Sequence, residues 1–449
     1  MSARFVPPHP PRGSGPVPVW RGFFGERARN AIYGWSEQAF TADHIKRKVL
    51  GIRVHIPLTP QAVQRVLLDN ASNYIKPRLI KKLLGRTIGE GLLTADGPLW
   101  RDQRRIVAAS FTPPAVDALV PVFADVAAAA AQAWQGGVRD MGIESTAATM
   151  RVISNALFSG DPRLTSEAAM RHIAEALDGI SEARLQILLG LPVIPMSRKG
   201  RAAHRGQTYL RETLTAVVRD RLAGGGPDDF LGGLIRDLHA RFPADQALAL
   251  AVDNAATFYL AGHETTANAI TWTLFLLSEQ GELQEQAAAE AQAALTPGAD
   301  ADLPDRLPLL RRILEESMRL YPPVPRLDRE ALGPDTLGGV PIVPGEIVSI
   351  WPWLLHRHQA LWDDADAFMP DRFAPENRGA RHRFQYLPFG GGPRLCVGMR
   401  FAMAEALTIL ATWLARWRFA PVPGREVRPS GLVTLRPAGG LPLTLTPRA

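Results

Sequence analysis

The sequence predicts a mostly α-helical chain with small β-sheets, on three observations. The stretch from about Ala244 to Ser278 is suited to one helix, which at 1.5 Å per residue would span on the order of 50 Å and cross a whole domain. Residues 113–240 contain several segments rich in alanine and leucine, with polar connections between them, which predict further helices. Residues 432–445 are typical of two strands around the turn Ala438-Gly439-Gly440, so we expect a β-hairpin there.

The composition indicates a globular protein that can bury a sizeable core. Hydrophobic residues make up 46% of the 449 positions and charged residues 21%, as in ordinary folded domains. Length alone would suggest about three domains. The single cysteine excludes internal disulfides and fits a reducing compartment.

The charge balance is basic, with 51 lysines and arginines against 44 aspartates and glutamates and a net charge of +7. A basic protein can seek nucleic acid, an acidic membrane or an acidic protein. No helix-turn-helix, zinc-binding or RNA-binding signature accompanies the charge, and the arginines are spread among alanines and prolines as on a solvated surface. We therefore expect no nucleic-acid partner.

Residues 1–20 form a proline-rich N-terminal segment, and the folded domain is predicted over residues 21–449. The N-terminal segment has no apolar run of the length of a signal peptide or a membrane anchor. The longest apolar region, residues 247–277, is interrupted by charged and polar side chains, and it falls short of the roughly 18 apolar residues of a spanning helix. We expect a cytoplasmic protein without a membrane anchor.

The only cysteine, Cys396, stands in the stretch FGGGPRLCVG, residues 389–398. One thiol cannot form an internal disulfide, so its role is core packing, nucleophilic catalysis or metal ligation. The three glycines Gly390 to Gly392 can adopt positive φ and let the backbone run flat against a bulky group. The stretch therefore predicts a loop whose backbone lies flat against a bulky group.

A helix is expected from near Gly398, because apolar residues follow at steps of three and four from Met403 to Trp417. The positive N-terminal end of this helix would point at Cys396 and favour its thiolate form.

Gly97 to Arg105 open another predicted helix, in which Trp100 and Arg104 lie one turn apart on the same face. An indole N–H beside a guanidinium suits an anionic carboxylate, although such a pair also occurs by chance on surface helices. The preceding residues, 70–98, are broken by glycines into short pieces. They predict a long irregular segment of the kind that often covers a ligand.

The centre of the long predicted helix carries the sequence AGHETT, residues 261–266. Gly262 is unfavourable in a helix interior, which suggests that a ligand approaches the backbone closely. Thr265 can donate its hydroxyl to the carbonyl of Ala261 and open a groove for a small diatomic molecule. The alternative is a threonine pair bonded back to a core helix, with Glu264 on the solvated side.

Glu316 and Arg319 are three residues apart on a predicted helix that is stopped by Pro322-Pro323, and they can form an ion pair. Exposed pairs of this spacing are common and contribute little to stability. Arg319 precedes the cysteine by 77 positions (396 − 319), and Arg329 follows Arg319 by ten.

Together these motifs resemble those of the cytochrome P450 family, in the order in which that family carries them. The cysteine stretch matches the haem-binding signature at six positions, and the family's FxPxRF pattern is present at residues 368–373. The resemblance covers nearly the full chain. It implies the cytochrome P450 fold as a single domain, mostly α-helical with small β-sheets, and haem b (iron protoporphyrin IX) as the cofactor.

The resemblance also implies roles for the matched residues. In the family the cysteine is the proximal iron ligand, and its electron push favours O–O cleavage, so Cys396 is expected to bind the iron. The other expected cofactor contacts are Arg394, Trp100, Arg104 and Arg329 at the haem propionates, together with Phe389, Gly390, Ala261 and Gly262. Glu264 and Thr265 match the acid–threonine pair that delivers protons for oxygen activation. Glu316, Arg319 and Arg372 are expected to form a buried ion network that holds the cysteine loop.

An apolar substrate pocket is expected between the long helix and the segment after Pro322-Pro323. Its predicted lining, besides the 70–98 segment, is Thr257, Phe258, Leu260 and Ala261 together with Val324 and Leu327.

The implied function is haem-thiolate monooxygenation, with one atom of O2 inserted into a small apolar substrate. We expect hydroxylation of a fatty acid, a terpenoid or a similar lipid-like compound. The alternatives are a haem-thiolate peroxygenase or isomerase and a non-enzymatic haem-binding sensor, none of which needs the pair Glu264 and Thr265.

A monomer is expected that takes electrons from a separate ferredoxin or flavodoxin with its NAD(P)H reductase, since no second redox domain is apparent in the sequence. Arg101, Arg105 and Arg400 are predicted to face this partner, and their charge would suit an acidic protein.

Overall fold

A computed structural model of the protein describes residues 4–15, 26, 30–49, 51–166, 168–169, 171–172, 175, 195, 197–224, 226–296, 299–379, 381–431 and 433–448. Helices dominate, as the sequence predicts. They are α1 (Pro60–Gln64), α2 (Arg78–Ile88), α3 (Gly97–Ala108), α4 (Pro113–Asp117), α5 (Val120–Ala133), α6 (Met141–Phe158), α7 (Pro162–Thr165), α8 (Arg198–Gly224), α9 (Phe230–Arg241), α10 (Ala244–Ser278), α11 (Gly281–Leu295), α12 (Pro308–Leu320), α13 (Pro352–Leu355), α14 (Pro375–Arg378) and α15 (Met399–Arg416).

The strands are short and form small sheets. They are β1 (His44–Val49), β2 (Ile52–Pro57), β3 (Tyr74–Ile75), β4 (Gly137–Asp140), β5 (Leu327–Ala331), β6 (Asp335–Leu337), β7 (Val340–Ile342), β8 (Ile347–Ile350), β9 (Trp417–Pro421), β10 (Pro429–Gly431), β11 (Leu435–Pro437) and β12 (Pro442–Pro447). Their order is β1-β2-β8-β5-β3 in the largest sheet and β4-β12-β9 in the next, with two-stranded pairs β6-β7 and β10-β11.

The long helix α10 runs through the hydrophobic core with the predicted bounds, Ala244–Ser278. It is buried over most of its length because α6, α8, α9, α12 and α15 all pack against it. Tyr259, Ile270 and Trp272 are among its fully buried side chains. A helix apolar on every side is stable only when other helices cover it, and that requirement sets the architecture.

Two predictions for connecting segments are wrong. Residues 70–98 contain the helix α2, because Leu79, Leu83 and Leu84 recur at helical spacing and Gly85 is tolerated inside it. The predicted hairpin around Ala438-Gly439-Gly440 does not form either. β11 pairs with β10, whereas β12 lies between β4 and β9. Leu432, the first residue of that prediction, lies outside the described residues.

The proline-rich N-terminal segment packs on the body of the protein where the structure describes it. The Tyr321 hydroxyl donates to the carbonyl of Pro8 (2.7 Å), and the Phe368 N–H donates to the carbonyl of Phe5 (3.0 Å). Arg12 pairs with Asp366 at 2.5 Å. Residues 5–12 therefore contribute to the folded domain.

Among the described residues, one stretch, Pro113–Ala133, is long and apolar enough to cross a membrane by length and composition. The structure divides it between α4 and α5. Val120, Phe123 and Ala127 within it are fully buried, and the Trp413 indole donates to the carbonyl of Ala127 (3.0 Å). In this structure the stretch is part of the helical core.

The predicted pair of Glu316 and Arg319 is completely buried at the end of α12. Arg319 binds both carboxylate oxygens of Glu316 at 2.7 Å and also donates to the carbonyls of His356, Ala365 and Ala367 at 2.6–2.9 Å. Arg372 adds a third charge, with its Nε 3.5 Å from Glu316 Oε1. The predicted three-residue network is therefore confirmed in its geometry.

His356 connects this network to the cysteine loop, a connection that the sequence analysis missed. The Leu387 N–H donates to Nε2 of His356 (2.8 Å), so Nδ1 carries the proton and donates to the carbonyl of Arg319 (3.2 Å). Burial and the Arg319 charge lower the pKa of His356 to about 3, so the ring stays neutral. Leu387 lies two residues before Phe389, where the cysteine loop begins.

Replacing Glu316 by Gln is expected to destabilise the fold by roughly 3–5 kcal/mol, because Arg319 would keep a buried charge without its counterion. The matched control is Glu315→Gln, which removes only the pair with the half-exposed Arg378 (3.1 Å) and should cost about 1 kcal/mol or less. The measurement is the urea midpoint followed by tryptophan fluorescence. Equal midpoints for the two variants would show that the buried network does not hold the fold.

Candidate active site

The cysteine loop is closed on itself just before α15. The Cys396 N–H donates to the carbonyl of Phe389 (3.0 Å), so the eight residues from Phe389 to Cys396 form a compact loop. Gly390 and Gly392 have φ of +72° and +67°, values that favour glycine over any residue with a Cβ. The predicted positive φ is confirmed at these two positions.

Close contacts with the protein itself explain two of the glycines. A Cβ on Gly392 would stand 1.7 Å from the carbonyl oxygen of Leu67, and a Cβ on Gly391 would stand 2.8 Å from the Phe384 ring. Contacts within the protein therefore account for these two glycines, and the loop's position under a bulky group stays a prediction. The two glycines let the loop pack against the helical turn Arg65–Asp69, which follows α1, and against Phe384 before the loop.

The Cys396 thiol meets competing electrostatic effects. Burial raises its pKa, while a hydrogen bond from the Gly398 N–H and the charge of Arg104 lower it. Burial outweighs the other two, so the predicted preference for the thiolate is wrong for the protein alone. A bound metal cation would reverse the balance, because a coordinating thiol is deprotonated by the metal charge.

The thiol also has accessible surface, although burial dominates its pKa. Both observations hold if Cys396 opens on an internal space. Ala261 is likewise exposed in the middle of α10, between the buried Leu260 and the half-buried Gly262. The helix α3 lies near both the cysteine and α10. The charge of Arg104 acts on Cys396, and the Gln103 side chain accepts a hydrogen bond from the Asn254 side chain of α10 (2.7 Å). We infer that the thiol and Ala261 line one internal space.

The predicted cationic residues gather around this space. The Arg394 guanidinium lies over the Trp100 ring, 4.5 Å from its centroid. Arg329 of β5 is 8% exposed and acts electrostatically on Arg394, and Arg104 acts on Cys396. Burial lowers the pKa of Arg329 to about 10 and lowers those of Arg104 and Arg394 as well. The structure therefore brings all four predicted residues together.

Two of these cations differ in how they are satisfied. Arg394 donates to the carbonyl of Ala95 (3.0 Å) and pairs with Asp96. Arg329 donates to the carbonyl of Asp328 (2.9 Å), and among the described residues no carboxylate is bonded to it. A buried guanidinium held only by a neutral carbonyl favours an anionic ligand.

Lys76 is a fourth cation here, and the sequence analysis missed it. It directly follows β3, whose pairing sets Ile75 opposite Glu330, and the next position along the register sets Lys76 beside Arg329. Burial first, and then the charges of Arg329 and Arg394, lower the pKa of Lys76 to about 7. The only signal in the sequence was a lysine at a strand end, which is too common to identify a site.

Hydroxyl groups bind three consecutive carbonyls at the centre of α10. Thr265 donates to Ala261 (2.9 Å), as predicted, and Thr266 donates to Gly262 (3.2 Å). Thr149 of α6 donates to the carbonyl of His263 (3.0 Å). These carbonyls share their lone pairs with side chains, which weakens the helical ladder at this turn.

Gly262 has an explanation in the packing of the protein. A Cβ at this position would stand 2.6 Å from Cδ1 of Ile153 on α6. Close packing of α6 on α10 therefore accounts for the glycine, and the approach of a ligand stays a prediction. Ala261 is the residue of this pair with exposed surface.

Glu264 points to the turn between β10 and β11. The Thr434 hydroxyl donates to Oε1 of Glu264 at 2.6 Å, and both residues are half-buried. Glu264 is therefore bound to protein and is not simply solvated, which had been the alternative for this residue.

The predicted pocket residues fall into two groups. Ala261, Val324 and Leu327 keep accessible surface, and Leu327 approaches the cysteine loop with Cδ1 3.7 Å from the Cβ position of Gly390. Phe258 instead stacks on Phe111 with centroids 5.5 Å apart. Thr257 donates to the carbonyl of Asp253 and lies against Gly91, and Leu260 is packed in the core. These last three residues therefore make their contacts within the protein.

A depression of about 440 Å³ lies beside the cysteine loop. Gly390, Leu395 and Met403 form part of its lining, and Arg311, Arg383 and Arg400 contribute charged side chains to it. Arg400 pairs with Asp117 at 2.7 Å. Arg101 and Arg105 do not line the depression, and Arg105 approaches Asp102 at 3.9 Å.

These residues fit a haem. The thiol that opens on an internal space can supply a sulfur ligand, and Lys76, Arg104 and Arg329 can supply partners for carboxylates. The small side chain of Ala261 leaves room on the side of α10. The donor set is therefore suited to a metal-centred ligand that carries negative charges at its edge.

Comparison with curated proteins identifies relatives that align over most of their lengths. Cyclooctatin synthase of Streptomyces melanosporofaciens is 34% identical, with 88% of this chain and 86% of that protein covered. Echinocystic acid 23-monooxygenase of Saponaria officinalis is 30% identical over 80% of this chain and 74% of that protein. Human cytochrome P450 4F12 is 29% identical over 85% of this chain and 78% of that protein.

Comparison with solved structures supports the fold. The crystal structure of the cytochrome P450DA heme domain superposes with a TM-score of 0.82, at 24% sequence identity, and covers 99% of both chains. The sequence model of the family described as Cytochrome P450 matches residues 33–439. The chain therefore belongs to the cytochrome P450 family and is a haem-dependent monooxygenase.

Proposed function

We propose that the protein inserts one atom of O2 into an apolar, lipid-like substrate, such as a fatty acid or a terpenoid, and that hydroxylation is the outcome. The observation that carries this proposal is that the Cys396 thiol and Ala261 in the middle of α10 both keep accessible surface, from which we infer one internal space between them. Ala261, Val324 and Leu327 keep accessible apolar surface that can contact a ligand. A space with a thiol on one face and apolar side chains on others suits an uncharged substrate held near the iron.

We propose haem b as the cofactor, with Cys396 as its iron ligand and Arg104, Arg329, Arg394 and Lys76 at the propionates. When bound, the haem supplies the activation of O2. The protein holds the cofactor through this cationic cluster and keeps its sulfur ligand in the closed loop. Arg394 would share its charge between Asp96 and a propionate, whereas Arg329 and Lys76 are bonded to no carboxylate among the described residues.

Replacing Lys76 by Met is expected to speed haem loss about tenfold at pH 7, since a charge-assisted hydrogen bond contributes about 1.5–3 kcal/mol. A propionate partner raises the pKa of Lys76 above its value of about 7 in the protein alone. Lys76 therefore helps to hold haem while it is protonated, and its contribution is lost as the pH rises through that higher pKa. The measurement is the transfer of haem to excess apomyoglobin.

The matched control is Lys82→Met, which removes an exposed lysine on α2. It should leave the rate of haem loss unchanged. A rate that is the same for Lys76→Met and Lys82→Met, or a difference that grows as the pH rises, would contradict the role of Lys76 at a propionate.

Proton delivery is proposed for Glu264 and Thr265. Thr265 follows Ala261 by one helical turn and so stands on the side of α10 that faces the internal space. Its hydroxyl can pass a proton inward, and the neighbouring carboxyl of Glu264 can replace that proton from solvent. The peroxygenase, isomerase and sensor alternatives need neither group.

Replacing Thr265 by Ala is expected to leave ligand binding intact and to uncouple turnover. NAD(P)H consumption through the redox partners should continue, while product falls about tenfold and hydrogen peroxide rises, because the hydroxyl that positions the proton is gone. The measurement is product and peroxide per NAD(P)H consumed. Thr265→Ser keeps the hydroxyl and should stay near the native ratio.

Unchanged product per electron in Thr265→Ala would assign the threonine to helix packing. Turnover supported by peroxide alone in the native protein would favour the peroxygenase. Failure to oxidise any bound ligand despite electron supply would favour the sensor. A screen for ligands that shift the haem absorption band identifies the substrates for these measurements.

A cytoplasmic location and a separate ferredoxin or flavodoxin with its NAD(P)H reductase are also proposed. Electrons must enter near Cys396, and the depression beside the cysteine loop offers a concave surface there. Three arginines and three carboxylates line this surface, and Arg400 pairs with Asp117 while Arg311 pairs with Asp305. Arg383 is the lining cation to which no carboxylate is bonded among the described residues. An acidic partner is the natural complement.

The rate of the first electron transfer from an acidic ferredoxin is expected to fall severalfold as salt rises, because the Debye length shrinks to about 8 Å at physiological ionic strength. Arg383→Glu/Arg400→Glu should be slow at low salt. Lys46→Glu/Lys48→Glu changes the charge equally on the edge strand β1, where both lysines are exposed, and should behave like the native protein. Equal rates for the two double variants would place docking elsewhere.

A further inference from the structure

The turn between β10 and β11 reaches the centre of α10, and its Thr434 is hydrogen-bonded to the proposed proton-delivery acid. The Thr434 hydroxyl donates to Oε1 of Glu264 at 2.6 Å across 170 positions of sequence. A short hydrogen bond to a carboxyl oxygen is a strong one when the oxygen is charged. Nothing in the sequence motifs around residues 261–266 pointed to this partner.

The backbone of this turn is held independently of Glu264. The Trp272 indole of α10 donates to the carbonyl of Leu435 (3.1 Å), and the Leu435 N–H donates to the carbonyl of Pro323 (2.9 Å). On the other strand, the Asn30 side chain accepts from the Gly431 N–H (3.0 Å). Gly431 and Leu435 are therefore held on either side of Thr434 by contacts that removal of its hydroxyl leaves in place.

The position of Glu264 explains what the hydroxyl can do. Glu264 and Thr265 are consecutive in α10, so their side chains diverge by about 100° around the helix axis. Thr265 lies on the side of Ala261, whereas Glu264 is turned towards the β10–β11 turn, and both are half-buried. A long, flexible carboxylate in this place would otherwise sample several rotamers.

We propose that Thr434 is a positioning residue for proton delivery, which keeps the carboxyl group of Glu264 at the boundary between solvent and the internal space. This inference rests on the proton-delivery role proposed above. Because Oε1 accepts from Thr434, the mobile proton is carried on Oε2. In each delivery Oε2 gives its proton to the Thr265 hydroxyl as that hydroxyl releases its own proton towards the internal space, and the carboxylate then takes a proton from solvent water, so both residues end unchanged.

The test uses the haem-loaded, full-length protein with its redox partners, in the presence of dodecanoic acid as the probe and in its absence. Thr434→Val is nearly isosteric and removes the hydroxyl, and Thr434→Ser retains it. Each is made in the native background and in Glu264→Gln. The measurements are hydrogen peroxide formed per NAD(P)H consumed and the solvent isotope effect on NAD(P)H consumption.

Thr434→Val is expected to increase peroxide per NAD(P)H about threefold or more and to raise the solvent isotope effect, and Thr434→Ser is expected to restore both. In the Glu264→Gln background, Thr434→Val should add nothing, because the two residues act as one unit. A crystal structure of Thr434→Val should show Glu264 in another rotamer or in several.

The outcomes separate this inference from the proposal beneath it. If Glu264→Gln leaves peroxide and the isotope effect unchanged, Glu264 does not deliver protons, and both ideas are wrong. If Glu264→Gln uncouples turnover while Thr434→Val does not, proton delivery stands and the role of Thr434 is wrong. Equal effects of Thr434→Val and Thr434→Ser, or additive effects with Glu264→Gln, also overturn the role of Thr434.

Discussion

The buried ion pair between Glu316 and Arg319 is the interaction on which the geometry of the site depends. Two charges without solvent are stable only if every donor and acceptor is used. Arg319 meets this requirement by binding Glu316 in a bidentate manner and by donating to three backbone carbonyls between His356 and Ala367. One side chain thus ties α12 to a segment almost fifty residues further along the chain. His356, held neutral by its burial, passes that constraint on to Leu387 and so to the start of the cysteine loop.

In contrast to this ion-pair network, the cations around the cysteine loop outnumber the carboxylates bonded to them. Arg104 acts on Cys396, the charges of Arg329 and Arg394 act on Lys76, and burial lowers the pKa of all four cations. Asp96 forms ion pairs with two cations, Arg394 and Lys81. A fold gains no stability from gathering buried cations without counterions. The imbalance is instead what a site for an anionic cofactor requires, because the ligand completes it.

The centre of α10 combines rigidity with a local departure from regular helix bonding. Hydroxyl groups donate hydrogen bonds to the carbonyls of Ala261, Gly262 and His263. The helix α6 packs so closely that a Cβ at Gly262 would clash with Ile153. One side of this turn is therefore fixed by its neighbour helix. On other sides Ala261 remains exposed and Glu264 reaches the β10–β11 turn. The same turn of helix thereby faces the core, the internal space and a strand connection.

The sequence by itself determined the residues whose chemistry is local to a motif. The bounds of α10, the start of α15 beside Cys396, and the pairing of Glu316 with Arg319 follow from periodicity and from spacings of three and four residues, which are properties of a single helix. The same holds for the hydroxyl of Thr265 on the carbonyl of Ala261. Tertiary structure decided whatever depends on partners far apart in the chain. It set Lys76 beside Arg329 through strand pairing, and it placed β12 between β4 and β9. It brought Phe384 against Gly391 and Leu67 against Gly392, where a Cβ would not fit. It also brought Thr434 to Glu264, because a hydrogen bond between positions 170 residues apart leaves no trace in local spacing.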